Sequence, residues 1–511
     1  MASRFGVLSD VRGVHFPVSV GEFPKGNAIV LGLRSSKLLA GLQLPSKRGP
    51  LLAMRDNPGD PYGKLLIIAG DHPVDVLQAA RALANATWMP HVANLRPAAT
   101  SPAAAMQAYE APRWLREETP SAIGTYTTDE HLKLHGTGSI NIYFRLPPDL
   151  FLRARQSVPL FLKYQYSDAP EGTHPALHIS LNGQDIDTIQ LKPASGTVEE
   201  SEMIRLPTGS MLTYTNTLTF DFYFEGNTPP NARPSFAIHR YSSLDLRGLP
   251  HAVLLPRLDL FADAGYPFTE WADLSRTAVV MPAAPTSTDY EALLDMAGFV
   301  GAQTGALVTR LAVTDDEHLD QIRNKDLVLI GTPDSQPLLS QWASAMPVSL
   351  SASGMQVNEA AAAQLIRHPE WPFRTYDGLQ LKHLLSHDAA ADLMVESFVS
   401  PLRQNRLVVA IVPVSSKATD AVRALFTPTE REGPVYGGVA LSQSGRFESF
   451  LVGTTAFHAG ETDQYQFATI LLIENYWLIP LFLLLFSAVI AASVRWSTGR
   501  VAARRLATQD T

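Results

Sequence analysis

The stretch RTAVVMPAAPTSTDYEALLDMAGFVG, residues 276–301, decides the architecture. Its first seven residues form a short apolar run rich in β-branched side chains, which predicts a buried strand. A proline-stiffened loop follows. Ser287-Thr288-Asp289-Tyr290 then opens a helix that runs to Gly301, with Ser287 placed to cap it. Strand followed by helix is half of a βαβ unit. Reading onward, ALVTRLAV (306–313) predicts the next strand. DDEHLDQIR (315–323) predicts a helix with acids in its first turn, where the helix dipole favours them. DLVLIGTP (326–333) and LVVAIVP (407–413) predict two more strands, and Thr419–Phe426 a helix. YGGVALSQSGRFESFLVG (436–453) predicts a hairpin turning at Ser444–Gly445. Together these describe an open doubly wound sheet, flavodoxin-like or Rossmann-like, with an antiparallel addition.

The same grammar appears at the start of the chain. NAIVLGL (27–33) and KLLIIAG (64–70) are continuous apolar runs ending in or near glycine, as in buried parallel strands. Asp71–Ala86 follows with Val74, Leu77, Ala80 and Leu83 at helical spacing and Asp71 positioned as a cap. Only two strong strands fall within the first 95 residues, so this α/β layer reads as partial. PAATSPAAAMQAYEAP (97–112) reads as a linker.

Between the two α/β regions the pattern changes. SINIYFRLP (139–147), VPLFLKYQYS (158–167), PALHISLNG (175–183), DTIQLKP (187–193) and NTLTFDFYFEG (216–226) are short and rich in β-branched and aromatic residues. Several alternate apolar with polar, and Asn182–Gly183 signals a hairpin. Closely spaced strands without helices between them predict a β-sandwich or jelly roll.

Composition bounds the function. The 511 residues leave room for about three domains. Apolar residues make up 46% and charged residues 18%, which suits folded cores and excludes a disordered chain. The absence of cysteine removes disulfides, thiolate metal sites and a cysteine nucleophile together. A net charge of −8 argues against a general nucleic-acid binder, since phosphate recognition needs a basic face.

One segment is too apolar for a soluble surface. Trp477–Val494, WLIPLFLLLFSAVIAASV, carries no charge over 18 residues. At 1.5 Å per residue it covers about 27 Å, close to the roughly 30 Å hydrocarbon core. Tyr476 and Trp477 before it and Trp496 after it are interface anchors, Pro480 sits in the first turn, and Phe482 and Phe486 lie within the span. Arg495, Arg500, Arg504 and Arg505 follow, against Asp510 alone. The positive-inside rule places that tail in the cytoplasm and the bulk of the chain across the inner membrane, in the periplasm. Export requires a signal peptide, and MASRFGVLSD (1–10) has no apolar core to serve as one. The expectation is a chain lacking its N-terminal portion. QYQFATILLIEN (464–475) is weakly amphipathic and suited to the membrane interface, in contact with lipid.

No catalytic constellation emerges. AAPTSTDY (283–290) stands where a doubly wound sheet would cradle phosphate, but it contains no glycine and reads as a helix cap. His383 and His387 have the spacing of metal ligands, yet Leu384 stands where a zinc peptidase carries glutamate. No cofactor or metal site is expected. Aromatics of the sandwich region could stack on sugar rings; Trp114, Tyr126 and Tyr166 are the candidates for glucan contact, drawn from a set that includes Tyr143, Tyr164, Tyr214 and Tyr223.

Three strings carry a resemblance: INIYFRLPPDLF (140–151), LHISLNGQDI (177–186) and, above all, LPRLDLFADAGYPFTEWADLSRTAVVMP (255–282). They resemble the BcsB family, the periplasmic, membrane-anchored subunit of bacterial cellulose synthase, over essentially the whole chain. The resemblance implies a multidomain α/β plus β architecture: flavodoxin-like doubly wound domains, a jelly-roll β-sandwich of carbohydrate-binding type, and one C-terminal transmembrane helix. Residues 1–96 would be a partial flavodoxin-like domain, 107–255 the sandwich and 256–460 the second flavodoxin-like domain. Residues 464–475 would be an interface helix, 476–494 the anchor and 495–511 the basic cytoplasmic tail. The implied role is non-catalytic. The family member partners the catalytic subunit, which polymerises UDP-glucose under cyclic di-GMP control, and guides the exported cellulose (β-1,4-glucan) chain. Sheet edges leave room for self-association. The alternative is a membrane-anchored scaffold or binding protein for another exported polysaccharide.

Overall fold

The computed structural model describes residues 1–86, 94–98, 104–152, 156–167, 169, 174–225, 234–351, 354–358, 377–386, 391–453, 456–460, 462, 464–474 and 478–507. Three sheet systems follow one another along the chain.

The first is a four-stranded sheet. Ala28–Leu33 pairs in parallel with Asp60–Gly70, and Leu51–Asn57 lies antiparallel on the other side, followed by Asn94–Leu95. Val30, Leu51, Leu65 and Ile67 pack on one face. Helix Pro73–Asn85 covers the other, with Ala79 and Leu83 on Leu52 and Ile68. The helix begins one residue later than a cap at Asp71 predicts, with His72 in the cap position. The Asp75 carboxylate accepts from the Asp71 and His72 backbone N–H groups, so the acid inside the first turn does the capping.

The sandwich consists of two antiparallel sheets around one core. Gly138–Arg145, Thr215–Glu225, His174–Leu181 and Gln184–Gln190 form one sheet. Ser157–Ser167 is the spine of the other, with Val198–Pro207 along one edge and Ser235–Ile238 and Ser243–Leu244 along the opposite edge. The Asn182–Gly183 turn takes φ of 53° and 78°, the two positive values that a two-residue hairpin needs. Phe144, Leu160, Leu162, Leu177, Phe220 and Phe236 meet between the sheets. Each side chain of that size contributes about 1.5–3 kcal/mol when fully buried.

The third system is a seven-stranded mixed sheet. Thr277–Val280 is flanked in parallel by Ala312–Thr314 and Asp326–Ile330, and Leu407–Pro413 continues the parallel run. Leu393–Val399, Val439–Gln443 and Arg446–Phe450 extend it antiparallel. Thr286, one residue before the predicted cap, closes the N-terminus of helix Ser287–Thr304 through Asp289. Two elements are smaller than expected. The strand predicted over 306–313 is only Ala312–Thr314, and the acid-rich 315–323 helix is a short 3-10 segment, Asp316–Gln321, with no buried residue to hold it. Leu393–Val399 carries no clear strand signal in the sequence, because Glu396 interrupts its apolar run.

The sheet systems touch directly. Helix Ala2–Ser9 lies across helix Ser287–Thr304 with backbones in contact: a Cβ on Gly6 would sit 1.8 Å from the Gly298 carbonyl oxygen, and one on Gly301 would sit 2.1 Å from that of Ser3. Only glycine permits that crossing. The described part of the expected linker is docked rather than free, since Tyr109 N donates to Glu270 O at 2.8 Å and Ala111 is buried. Helix Leu478–Ala507 closes the described chain.

Candidate functional site

The sandwich offers two outer sheet faces, and strand parity decides which side chains occupy them. In Gly138–Arg145, Ile140, Ile142 and Phe144 point to the core, so Tyr143 points out and is 64% exposed. In Thr215–Glu225, Leu218, Phe220 and Phe222 point in, so Thr217, Thr219, Asp221 and Tyr223 share the outer face. In Ser157–Ser167 the inward set is Val158, Leu160, Leu162, Tyr164 and Tyr166. Tyr166 is 1% exposed, so the reading of this residue as a glucan contact is corrected: a sugar ring needs a free aromatic face, and this one is closed by core packing.

Trp114 is corrected on the same ground. It is 1% exposed and packs edge-on to Tyr214 in the core of the seven-stranded system. Tyr126 is half-buried against the sandwich core, with its hydroxyl donating to Trp114 O at 3.0 Å.

The outer face of the Gly138–Arg145 sheet has the better chemistry for a neutral polyhydroxylated ligand. Thr219 stands between Asn141 and Ser180 in register, and its hydroxyl donates to Asn141 Oδ1 at 2.8 Å. The His178 ring nitrogens lie 3.0 Å from Thr188 Oγ1 and 3.1 Å from Asp185 Oδ1. Hydroxyls, an amide, an imidazole and the carboxylates of Asp185 and Asp221 form a polar strip, with the Tyr143 and Tyr223 side chains on the same face. The signal for Tyr143 was present in SINIYFRLP: the odd positions of that run are the polar ones.

The C-terminal helix is the second candidate feature. Over Ile479–Arg500 it is long and apolar enough to cross a membrane, and Phe482, Phe486 and Trp496 are exposed along it. Its 30 residues extend about 45 Å, so it outreaches the roughly 30 Å hydrocarbon core. Pro480 lies in its first turn. Arg495 follows the apolar run, and the Arg500 guanidinium sits 3.8 Å over the Trp496 ring. Arg504 and Arg505 fall in the last turns of the same helix. Tyr476 and Trp477 lie outside the described residues, as does His387; His383 is in helix Gly378–Ser386.

A buried ionic cluster joins the sandwich to the seven-stranded system. His251 Nδ1 donates to Asp149 at 2.9 Å and Nε2 donates to Glu117. Two carboxylate acceptors require two N–H donors, so the ring is an imidazolium. Burial pushes its pKa down, but the charges and hydrogen bonds of Asp149 and Glu117 outweigh that and raise it to about 10. Tyr109 and Tyr266 donate to the other Asp149 oxygen at 2.7 and 3.0 Å, and the Tyr109 ring stacks on the imidazolium at 3.8 Å. Nearby, burial and the charge of Asp149 push Glu270 up to about 7. None of these residues was singled out from the sequence, because their partners are far apart along the chain. Among the described residues no group of three or more His, Asp or Glu side chains is arranged to hold a metal ion.

The class these features define is a multidomain protein with two α/β sheet systems flanking a β-sandwich, ending in a helix fit to cross a membrane. Three family models match it in order: cellulose synthase BcsB, first FD domain, over residues 1–95; second CBM domain, over 120–242; and second FD domain, over 251–411. The chain belongs to the BcsB family. It is 29% identical to a cyclic di-GMP-binding protein of Pseudomonas fluorescens, with 99% of this chain and 70% of that one covered. A protein of the same name from Xanthomonas axonopodis pv. citri is 31% identical over 90% of this chain and 62% of its own. The Escherichia coli K12 protein is 27% identical over 100% and 68%. The chain thus spans roughly two thirds of the length of these relatives. Among solved structures, a non-crystalline cellulose specific carbohydrate-binding module, CBM28, covers 22% of the chain at 12% identity with a TM-score of 0.16. The CBM36-1 domain of a xylanase covers 22% at 12% identity with a TM-score of 0.14. Likenesses this slight carry no argument about the ligand.

Proposed function

We propose that this chain is the non-catalytic, membrane-anchored subunit of a bacterial cellulose synthase complex. The observation that supports this reading best is the ordered run of BcsB family matches along one chain that ends in an apolar helix. In this reading residues 1–96 and 256–460 are flavodoxin-like domains, and 107–255 is the glucan-facing sandwich. Gln464–Glu474 lies near the bilayer surface, and the Leu478–Ala507 helix packs against the membrane region of the catalytic subunit. The arginines after Val494 favour the cytoplasm, which leaves the body in the periplasm. The catalytic partner polymerises UDP-glucose, and the sandwich presents Tyr143, Tyr223 and the hydroxyl strip between them to the emerging β-1,4-glucan. Cyclic di-GMP, named for the relatives, is assigned to the assembled complex, because a periplasmic body does not meet a cytoplasmic dinucleotide.

The test is co-purification in mild detergent with a cellulose synthase catalytic subunit. The intact chain is compared with one cut before Asn475, and a longer relative serves as positive control. Anchor-dependent co-purification that restores glucan synthesis from UDP-glucose is the expected result. If the control works and the intact chain neither binds nor supports synthesis, the cellulose reading fails and a scaffold for another exported polysaccharide takes its place.

A further inference from the structure

Helix Ser287–Thr304 carries two buried carboxylates, Glu291 and Asp295, one turn apart. Like charges at that spacing repel, and burial makes them costly to leave unpaired. The N-terminal arm supplies their partners. Phe16 N donates to Asp295 Oδ1 and Val18 N to Glu291 Oε1, both at 2.9 Å. His15 Nδ1 donates to Asp295 Oδ2 at 2.8 Å. Pro17, between the two amides, keeps Phe16 out of the helical region and the arm extended. Gly298 leaves room for the arm: a Cβ there would meet Val14 and Phe16 at 2.8 and 2.9 Å.

The arm has two halves, held differently. Helix Ala2–Ser9 seats its backbone on Gly298 and Gly301, a contact that no change of charge affects. Residues 13–18 bury no side chain fully, and their grip is three donors on two carboxylates. The His15 side chain is 22% exposed and that of Asp295 is 1% exposed, so the ring exchanges protons with water while facing a carboxylate that water does not reach. Asp295 and Glu291 face the ring from helix Ser287–Thr304, and Arg423 faces it from helix Ala418–Phe426. Arg423 is engaged by Glu430 at 3.2 Å and Asp420 at 3.7 Å. The countercharge closest to hand for the buried acids is therefore the imidazolium.

We propose that residues 13–18 are a pH-sensitive latch: an imidazolium at His15 closes the arm on Glu291 and Asp295, and the neutral ring lets it open. A neutral ring still donates one hydrogen bond, but it leaves two buried carboxylates against neutral donors. The Asp295 hydrogen bond raises the His15 pKa; partial burial opposes this, the charges of Asp295 and Glu291 add to it, and Arg423 subtracts. With the folded value raised, the latch is fully closed below the ordinary pKa of about 6.5 and weakens as pH rises through the folded value. What opens is the segment that leads into strand Ala28–Leu33, while helix Ala2–Ser9 stays seated.

Amide hydrogen exchange of the full chain in detergent, corrected for intrinsic rates and read by mass spectrometry, tests the latch between about pH 5.5 and about pH 8.5. Protection of residues 13–18 should fall roughly threefold or more over that range, relative to helix Ala2–Ser9. His15→Gln keeps a neutral donor and Asp295→Asn keeps an acceptor, and each should flatten the profile. A flat profile in the unsubstituted chain, or a fall that persists in His15→Gln, overturns the latch. If His15→Gln also loosens helix Ala2–Ser9, Asp295→Asn decides: a flattened profile supports the latch and a persistent fall overturns it.

Discussion

His251 and Asp149 face each other across 2.9 Å in a site from which water is nearly excluded, and they hold opposite charges. A buried ion pair of this kind is a poor source of net stability, because desolvation offsets the attraction. Its value lies in what happens when one partner is lost. Asp149→Asn would leave the imidazolium short of a countercharge and cost about 3–5 kcal/mol. Tyr109→Phe, which removes one neutral donor, should cost only about 1 kcal/mol. Denaturant unfolding of the detergent-solubilised chain checks both; equal losses would mean that the charge at Asp149 is not what matters.

The same pair predicts an alkaline limit. The folded His251 pKa, about 10, is raised above its ordinary 6.5, so the folded state binds the extra proton between those values. The stabilisation is fully present below about pH 6.5 and is lost as pH rises through about 10. A stability profile over that range should fall for the wild type and flatten for His251→Gln.

Glu396 supplies an independent pH signature in the seven-stranded sheet. It sits in a fully buried strand, accepts from Val348 N at 3.1 Å through one oxygen, and has no partner for Oε1 among the described residues. Burial pushes its carboxyl up to about 8 from an ordinary 4.5. The folded state retains a proton that the unfolded chain releases, so stability falls as pH rises from 4.5 through about 8. Glu396→Gln keeps the acceptor and removes the titration. Its melting temperature should match the wild type at the acid end and exceed it above pH 8.

The sandwich separates two kinds of aromatic. Tyr143→Ala should weaken binding of soluble cello-oligosaccharides by about 1 kcal/mol, or roughly fivefold, with little effect on melting. Trp114→Ala should cost about 3–5 kcal/mol of stability because it empties a core position. Calorimetric titration paired with thermal unfolding distinguishes them. Unchanged affinity in Tyr143→Ala together with Tyr223→Ala would remove this face from consideration as the glucan surface.

Charge placed in the middle of the apolar helix should block its insertion. Leu484→Arg introduces a penalty of about 3 kcal/mol on biological insertion scales. Alkaline extraction of membranes should release the variant and retain the parent. Retention of the variant would place the helix against protein rather than lipid.

Much of the architecture was legible because it is written in short-range periodicity. The apolar run at Thr277–Val280, the helix opening beside Ser287, the Asn182–Gly183 and Ser444–Gly445 turns, and the Ile479–Arg500 segment each depend on residues within one or two turns of one another. Even the exposure of Tyr143 follows from strand alternation. Where local signals were weak or contradictory the reading missed, as with Ala312–Thr314, the Asp316–Gln321 segment and the strand that carries Glu396.

The sequence by itself determined the order of sheet systems, the apolar helix and the family. The tertiary structure alone decided which aromatics are walls of a core and which are surfaces, and it assembled the cluster at His251. Trp114 pairs with Tyr214, Asp149 with His251, and Ile470 with Phe151 across separations of a hundred residues or more. Such contacts depend on how whole sheets stack, and burial of a side chain or the charge of an imidazole follows from that stacking. No pattern within a window of sequence encodes it.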